Sequence, residues 1–106
     1  MAEPRITCLS SFPGRPARQI PWPADAPTAL HALRAGQQPI ASSCSGETVC
    51  GKCGVFVEAV TVPLPPAEVD EEAILAALDA EPTERLACRI RREDVRGSIA
   101  LRTNYW

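Results

Sequence analysis

Three cysteines crowd into ten residues of this chain, Cys44-Ser-Gly-Glu-Thr-Val-Cys50-Gly-Lys-Cys53, with the spacing C-x5-C-x2-C. Thiolates this close repel one another unless something cationic binds them, so the segment asks for a metal centre before anything else. A fourth cysteine, Cys88, follows Cys53 after 34 intervening residues, in Arg85-Leu-Ala-Cys88-Arg-Ile. Four thiolates suit tetrahedral zinc, but structural zinc sites bring their ligands in two close pairs on separate turns. Here three ligands share one loop and one arrives alone. That asymmetry suits a binuclear iron–sulfur rhombus, in which each iron needs two thiolates and the loop wraps the inorganic core. Gly46, Gly51 and Gly54 let the backbone approach such a core, and Ser43, Ser45 and Thr48 can add hydroxyl donors. A zinc or disulfide staple is the structural alternative; colour and iron content separate the readings.

Other residues that could do chemistry carry less. Gly46 to Lys52 imitates a phosphate-binding G-x4-G-K loop, but Cys53 stands where Ser or Thr should hold magnesium, and no strand runs into the first glycine. Nucleotide binding is rejected. Lys52 is an exposed cation that could favour the reduced state of an anionic centre, or a plain solvent lysine. Cys8 lies alone and reads as a buried thiol packing as a small hydrophobe, with a fifth ligand or redox switch as the alternative. His31 is the sole histidine, which excludes a Rieske-type centre, and reads as a helix-face residue. The final Tyr105-Trp106 can pack on the body or contact a partner.

The elements that must position these residues are short. Arg5–Phe12 is β-favourable, with Ile6, Cys8 and Phe12 on one face, and Ala17–Trp22 pairs back after a Pro-Gly turn, Pro21 placing it at an edge or strand end. Residues 25–36 form a helix capped by Asp25 or Thr28, with Pro27 in its first turn, Gly36 just past its end and Leu30 and Leu33 buried. Gly54–Val62 is the best strand; Val55, Val57 and Ala59 alternate with Phe56, Glu58 and Val60, and two apolar faces predict a central position. Pro65-Pro66 leads to a helix over Asp70–Ala80 with an acidic first turn and an apolar stripe of Ile74, Leu75 and Leu78. Arg85–Arg91 and Ser98–Thr103 are two more strands, with Glu93–Gly97 turning between them. The economical solution is α+β: a mixed sheet of four to five strands with a helix packed across it and a metal-binding loop.

With 106 residues the chain is expected to be one domain, 1–106, short enough for a metal to help it fold. A net charge of −2 offers nothing to nucleic acid. Acids from Glu68 to Glu84 precede arginines from Arg85 to Arg102, a contrast that can orient a docking partner or simply mark two solvated faces. No apolar run approaches membrane-spanning length and no leader is visible, so a cytoplasmic protein is expected, where clustered cysteines mean metal or redox chemistry.

At this point the chain resembles the 2Fe–2S ferredoxins of the β-grasp fold, over nearly its whole length. Plant-type members have four residues between the first two ligands; this chain has five, Ser45 to Val49, as in the adrenodoxin-like class. Cys-Gly-Lys-Cys-Gly and Arg-Leu-Ala-Cys-Arg are also similar to Shethna-type modules. The resemblance implies Cys44, Cys50, Cys53 and Cys88 as ligands of one 2Fe–2S cluster, Cys44 and Cys50 on one iron, Cys53 and Cys88 on the other. It implies a monomeric, non-enzymatic, soluble one-electron carrier between a reductase and an oxygenase, biosynthetic or nitrogen-fixation-type acceptor. Docking is expected on Glu68, Asp70, Glu71 and Glu72, and on Trp106. The alternative is a redox-switched binding protein that shields an oxygen-sensitive enzyme.

Overall fold

The computed structural model describes residues 4–40 and 53–106. Strands β1 (Arg5–Leu9) and β2 (Arg18–Pro21) form the expected antiparallel hairpin, with Ile6 opposite Ile20. β2 is the edge of the sheet, where the missing N–H of Pro21 deprives no neighbour. β1 is shorter than expected. The Ser10 hydroxyl accepts the Phe12 N–H at 3.1 Å and turns the chain, so Phe12 does not join Ile6 and Cys8 on the buried face. It is exposed, with the Arg15 guanidinium 5.0 Å from its ring.

Helix α1 (Ala29–Ala35) starts at Thr28, not Asp25; the Thr28 side chain accepts the His31 N–H. Ala29, Leu30, Ala32 and Leu33 are its buried side, and His31 is exposed, as expected. Gly36 follows the last turn, but the left-handed residue is Gln37, at φ 58°.

Strand β3 (Gly54–Val60) lies between β4 (Glu84–Leu86) and β5 (Ser98–Arg102) in the order β2-β1-β5-β3-β4. It is interior, but its alternation breaks. Val57 faces Leu101 and Ala59 faces Ala100, leaving Glu58 as a bulge. The extra residue swaps faces beyond it: Val60, not Ala59, packs against the core, and Ala59 is exposed. The Arg102 guanidinium lies 4.5 Å from the Phe56 ring and bonds Glu58 at 2.9 Å.

Helix α2 (Val69–Ala77) is shorter than the predicted 70–80, because Leu78 caps it and Asp79 turns left-handed at φ 52°. Ile74 and Leu75 pack against the core, whereas Leu78 is exposed. The predicted strand Arg85–Arg91 is only half a strand: pairing with β3 ends at Leu86, and Ala87–Arg89 coil into a 3-10 turn. A second such turn, Arg92–Asp94, leads towards β5. Before β5, Gly97 sits at φ +86°, and a Cβ there would lie 2.9 Å from the Thr61 hydroxyl, so any larger residue is doubly disfavoured.

The sheet is mixed, since β1 and β5 run parallel while β3 opposes β5. The registers Leu9 to Arg102, Phe56 to Arg102 and Gly54 to Leu86 put the ends of β1, β5 and β4 beside the start of β3. The segment that enters β3 and the one that leaves β4 thus meet at one end of the sheet. Among the described residues no helix is long and apolar enough to cross a membrane.

Candidate metal centre

The sheet brings two of the four predicted ligands to this end. Cys53 immediately precedes β3, and its carbonyl accepts the Ala87 N–H at 3.0 Å, which lays Cys53 alongside the residue before Cys88. Both are buried, at 1% and 4% exposure. Cys88 is held from its other side as well: Ile90 C=O accepts from Ala29 N–H at 2.8 Å, and Arg92 N–H donates to Pro27 C=O at 3.0 Å. The Cys88 turn therefore lies between the start of β3 and the start of α1. A 3-10 turn achieves this where a continued strand would carry residue 88 past the end of its partner. Cys44 and Cys50, with Gly46, Gly51, Lys52 and the candidate donors Ser43, Ser45 and Thr48, lie outside the described residues.

Around Cys88 stands an ion-pair clamp that sequence reasoning missed. Glu71 was expected on the surface; it is 1% exposed. Its carboxylate accepts Arg85 Nε at 2.8 Å, Arg85 Nη2 at 2.9 Å and the Leu86 N–H at 3.0 Å. Arg89 pairs with Glu68 at 2.7 Å and Asp70 at 3.0 Å, and Arg91 with Glu68 at 3.2 Å. The acidic start of α2 and the arginines flanking Cys88 thus neutralise one another. The opposite signs were visible in the sequence, but not that the two stretches face each other.

Trp106, expected as a docking side chain, is also buried, at 5% exposure. Its indole N–H donates to the Pro39 carbonyl, and its own carbonyl accepts from Ser11 N–H and the Ser10 hydroxyl, both at 3.0 Å.

This end of the fold suits a thiolate-bound cluster in its donor chemistry, with two buried cysteine side chains on adjoining backbone. It also has spare polar capacity. Thr103, just past β5, is 2% exposed, and among the described residues its Oγ1 has no hydrogen-bond partner. Native interiors rarely leave such a group unmet unless another group supplies the partner.

Cys8, the fifth cysteine, lies on β1 between Thr7 and Leu9, 4% exposed. Burial pushes its thiol up to about 11, against the opposing pull of the Arg18 guanidinium. The folded protein therefore holds this proton more tightly than the unfolded chain does. The resulting stability is complete below the ordinary thiol value of 9.0 and is lost as pH rises towards about 11. Thermal melts between pH 8 and 11 should show an alkaline loss that is smaller in Cys8→Ala; equal losses in both proteins would refute this.

Residues 12–93, which include Cys44, Cys50, Cys53 and Cys88, match the family described as 2Fe-2S iron-sulfur cluster binding domain. Among solved structures, a ferredoxin from Rhodopseudomonas palustris HaA2 is 28% identical, with a TM-score of 0.74 over 94% of this chain and 95% of that one. Reduced putidaredoxin from Pseudomonas putida is 27% identical, at 0.70 over 93% and 94%. The covalent complex of putidaredoxin reductase with putidaredoxin matches at 26% identity and 0.67, over 92% and 95%. No curated protein gives a significant sequence match.

Proposed function

Because this chain belongs to the 2Fe-2S iron-sulfur cluster binding domain family and carries one such cluster, we propose that it passes single electrons from a reductase to an acceptor enzyme, with Cys44, Cys50, Cys53 and Cys88 as the four ligands. The observation that carries this reading is the meeting of Cys53 and Cys88, distant in sequence, as buried neighbours at one end of the sheet. The bound cluster supplies a one-electron couple. The start of β3, the turn at Ala87–Arg89 and the start of α1 fix the backbone of Cys53 and Cys88, and both cysteines belong to the same buried cluster as Leu33, Leu86 and Ile90. A reductase as donor is supported by likeness to putidaredoxin, seen joined to its own reductase. The acceptor is an oxygenase, a biosynthetic enzyme or a nitrogen-fixation-type enzyme. A cytoplasmic setting fits thiolates that must stay reduced to bind iron, and a monomeric domain over 1–106 fits a core shared by the sheet and both helices.

Docking is assigned to Glu68, Asp70 and Glu72, with Glu71 removed from the surface by burial. Arg89 and Arg91 share that strip and offset part of its charge. Stopped-flow reduction by a ferredoxin reductase with a basic docking face tests both points. The visible spectrum of the cluster should bleach by one electron per protein, and the rate should fall only modestly, about two- to threefold, between low and physiological salt. A protein that binds no iron, or takes up no electron, would refute the reading; a rate independent of salt would refute the docking strip alone.

A further inference from the structure

We propose that Trp106 is a positioning residue for the cluster loop, fixing the chain where it runs into residues 41–52. The inference rests on the reading of Cys44 and Cys50 as ligands and adds a residue to the machinery that holds them. Four observations carry it. The indole is buried, so it is body rather than surface. Its N–H is spent on the carbonyl of Pro39, five positions before Cys44. Its own backbone is tied in turn, its N–H donating to Thr103 C=O and its C=O accepting from Ser10 and Ser11. Finally, Ile40, the last residue before the loop, packs against the hydrophobic core.

The loop therefore leaves from one anchored point and returns to another. Cys53, at its far end, is fixed by the Ala87 N–H and the start of β3. Pro39 has no N–H, so its carbonyl is its sole backbone hydrogen-bonding group, and the indole is what satisfies it. Chain entropy is not the source of the effect. Gln38 is already held, its N–H on Leu33 C=O and its side chain under Arg18, so freeing Pro39 would lengthen the loop by very little. The effect comes from the hydrogen bond and the indole packing, which set the position from which the segment carrying Cys44 departs.

Loaded protein tests this with Trp106→Phe, which keeps an aromatic ring and removes the N–H. Ile99→Val, a buried change in β5, serves as a control for lost global stability. The readouts are the rate of cluster loss to excess chelator, the reduction potential, and the electron paramagnetic resonance spectrum of the reduced state. Trp106→Phe should lose its cluster about three- to tenfold faster, the factor expected from one hydrogen bond, and should shift both the potential and the spectrum. Ile99→Val should change neither potential nor spectrum. The proposal is overturned if the two variants behave alike in all three readouts. It is also overturned if Trp106→Phe is impaired only in turnover with a redox partner, which would make Trp106 a docking residue. Wild-type protein without iron would instead refute the reading of the ligands.

Discussion

Cys88→Ala should purify colourless and with little iron, while Cys8→Ala should keep its full complement. The contrast is sharp because the two cysteines look alike in isolation: both are 4% exposed and both sit among apolar side chains. What separates them is placement. Cys8 lies within β1, and its thiol is held neutral by burial. Cys88 lies in a turn whose backbone is fastened to Cys53 on one side and α1 on the other. Removing one of four thiolates leaves an iron with an open coordination position that water can enter, and a binuclear cluster does not survive this readily. Iron analysis and visible absorption of freshly purified protein check the outcome. Iron retained at wild-type level in Cys88→Ala would dismiss it as a ligand.

Glu71→Ala should cost about 3 kcal/mol of folding stability, near the lower end of what removing one partner of a buried ion pair costs, since Arg85 keeps 17% of its side chain exposed. The loss has two parts. Among the described residues the Arg85 guanidinium keeps one hydrogen-bond partner outside the pair, the Pro65 carbonyl at 2.9 Å, and the buried Leu86 N–H loses its acceptor. Glu71→Gln keeps the shape and one acceptor oxygen and should fall in between. The adjacent Glu72→Ala, at an exposed site, should stay within about 0.5 kcal/mol of wild type. Denaturant unfolding of the loaded proteins measures all three. Because Leu86 lies two residues before Cys88, Glu71→Ala should also release its cluster faster. An Ala variant as stable as Glu72→Ala would mean that the pair holds nothing together.

Much of the frame was legible in local signals. Pro13-Gly14 between two β-favourable runs meant a hairpin, and Gly36 marked the end of α1 to within a residue, while of the two candidate caps, Asp25 and Thr28, the later one starts the helix. These features depend on a few adjacent φ/ψ preferences, which the chain states directly. The errors share a different cause. Strict alternation puts Phe12, Ala59 and Val60 on the wrong faces, because the hydrogen bond from the Phe12 N–H to the Ser10 hydroxyl and a bulge at Glu58 interrupt it. Both are decided by what the neighbouring strand offers. Residues 87–91 were read as strand because their composition permits it, and they turn because β3 offers no further partner.

The charged residues show the limit most clearly. An acidic helix start looks the same in sequence whether it faces water or a row of arginines. Placement of α2 against the Cys88 segment makes Glu71 a buried acceptor and leaves Glu68 and Asp70 half neutralised. Trp106 changes character in the same way, from a terminal aromatic free to meet a partner to a buried donor on Pro39.

The sequence by itself determined which chemistry to expect, because residue type and spacing are covalent facts: three cysteines within ten residues and a fourth far away suit a centre that takes thiolates three and one better than a site of two close pairs. Only the tertiary structure decided which residues distant in the chain are brought together. The roles of Glu71, Arg85 and Trp106 come from burial and from partners 14 to 67 positions away in the chain, and no local preference encodes a contact of that range.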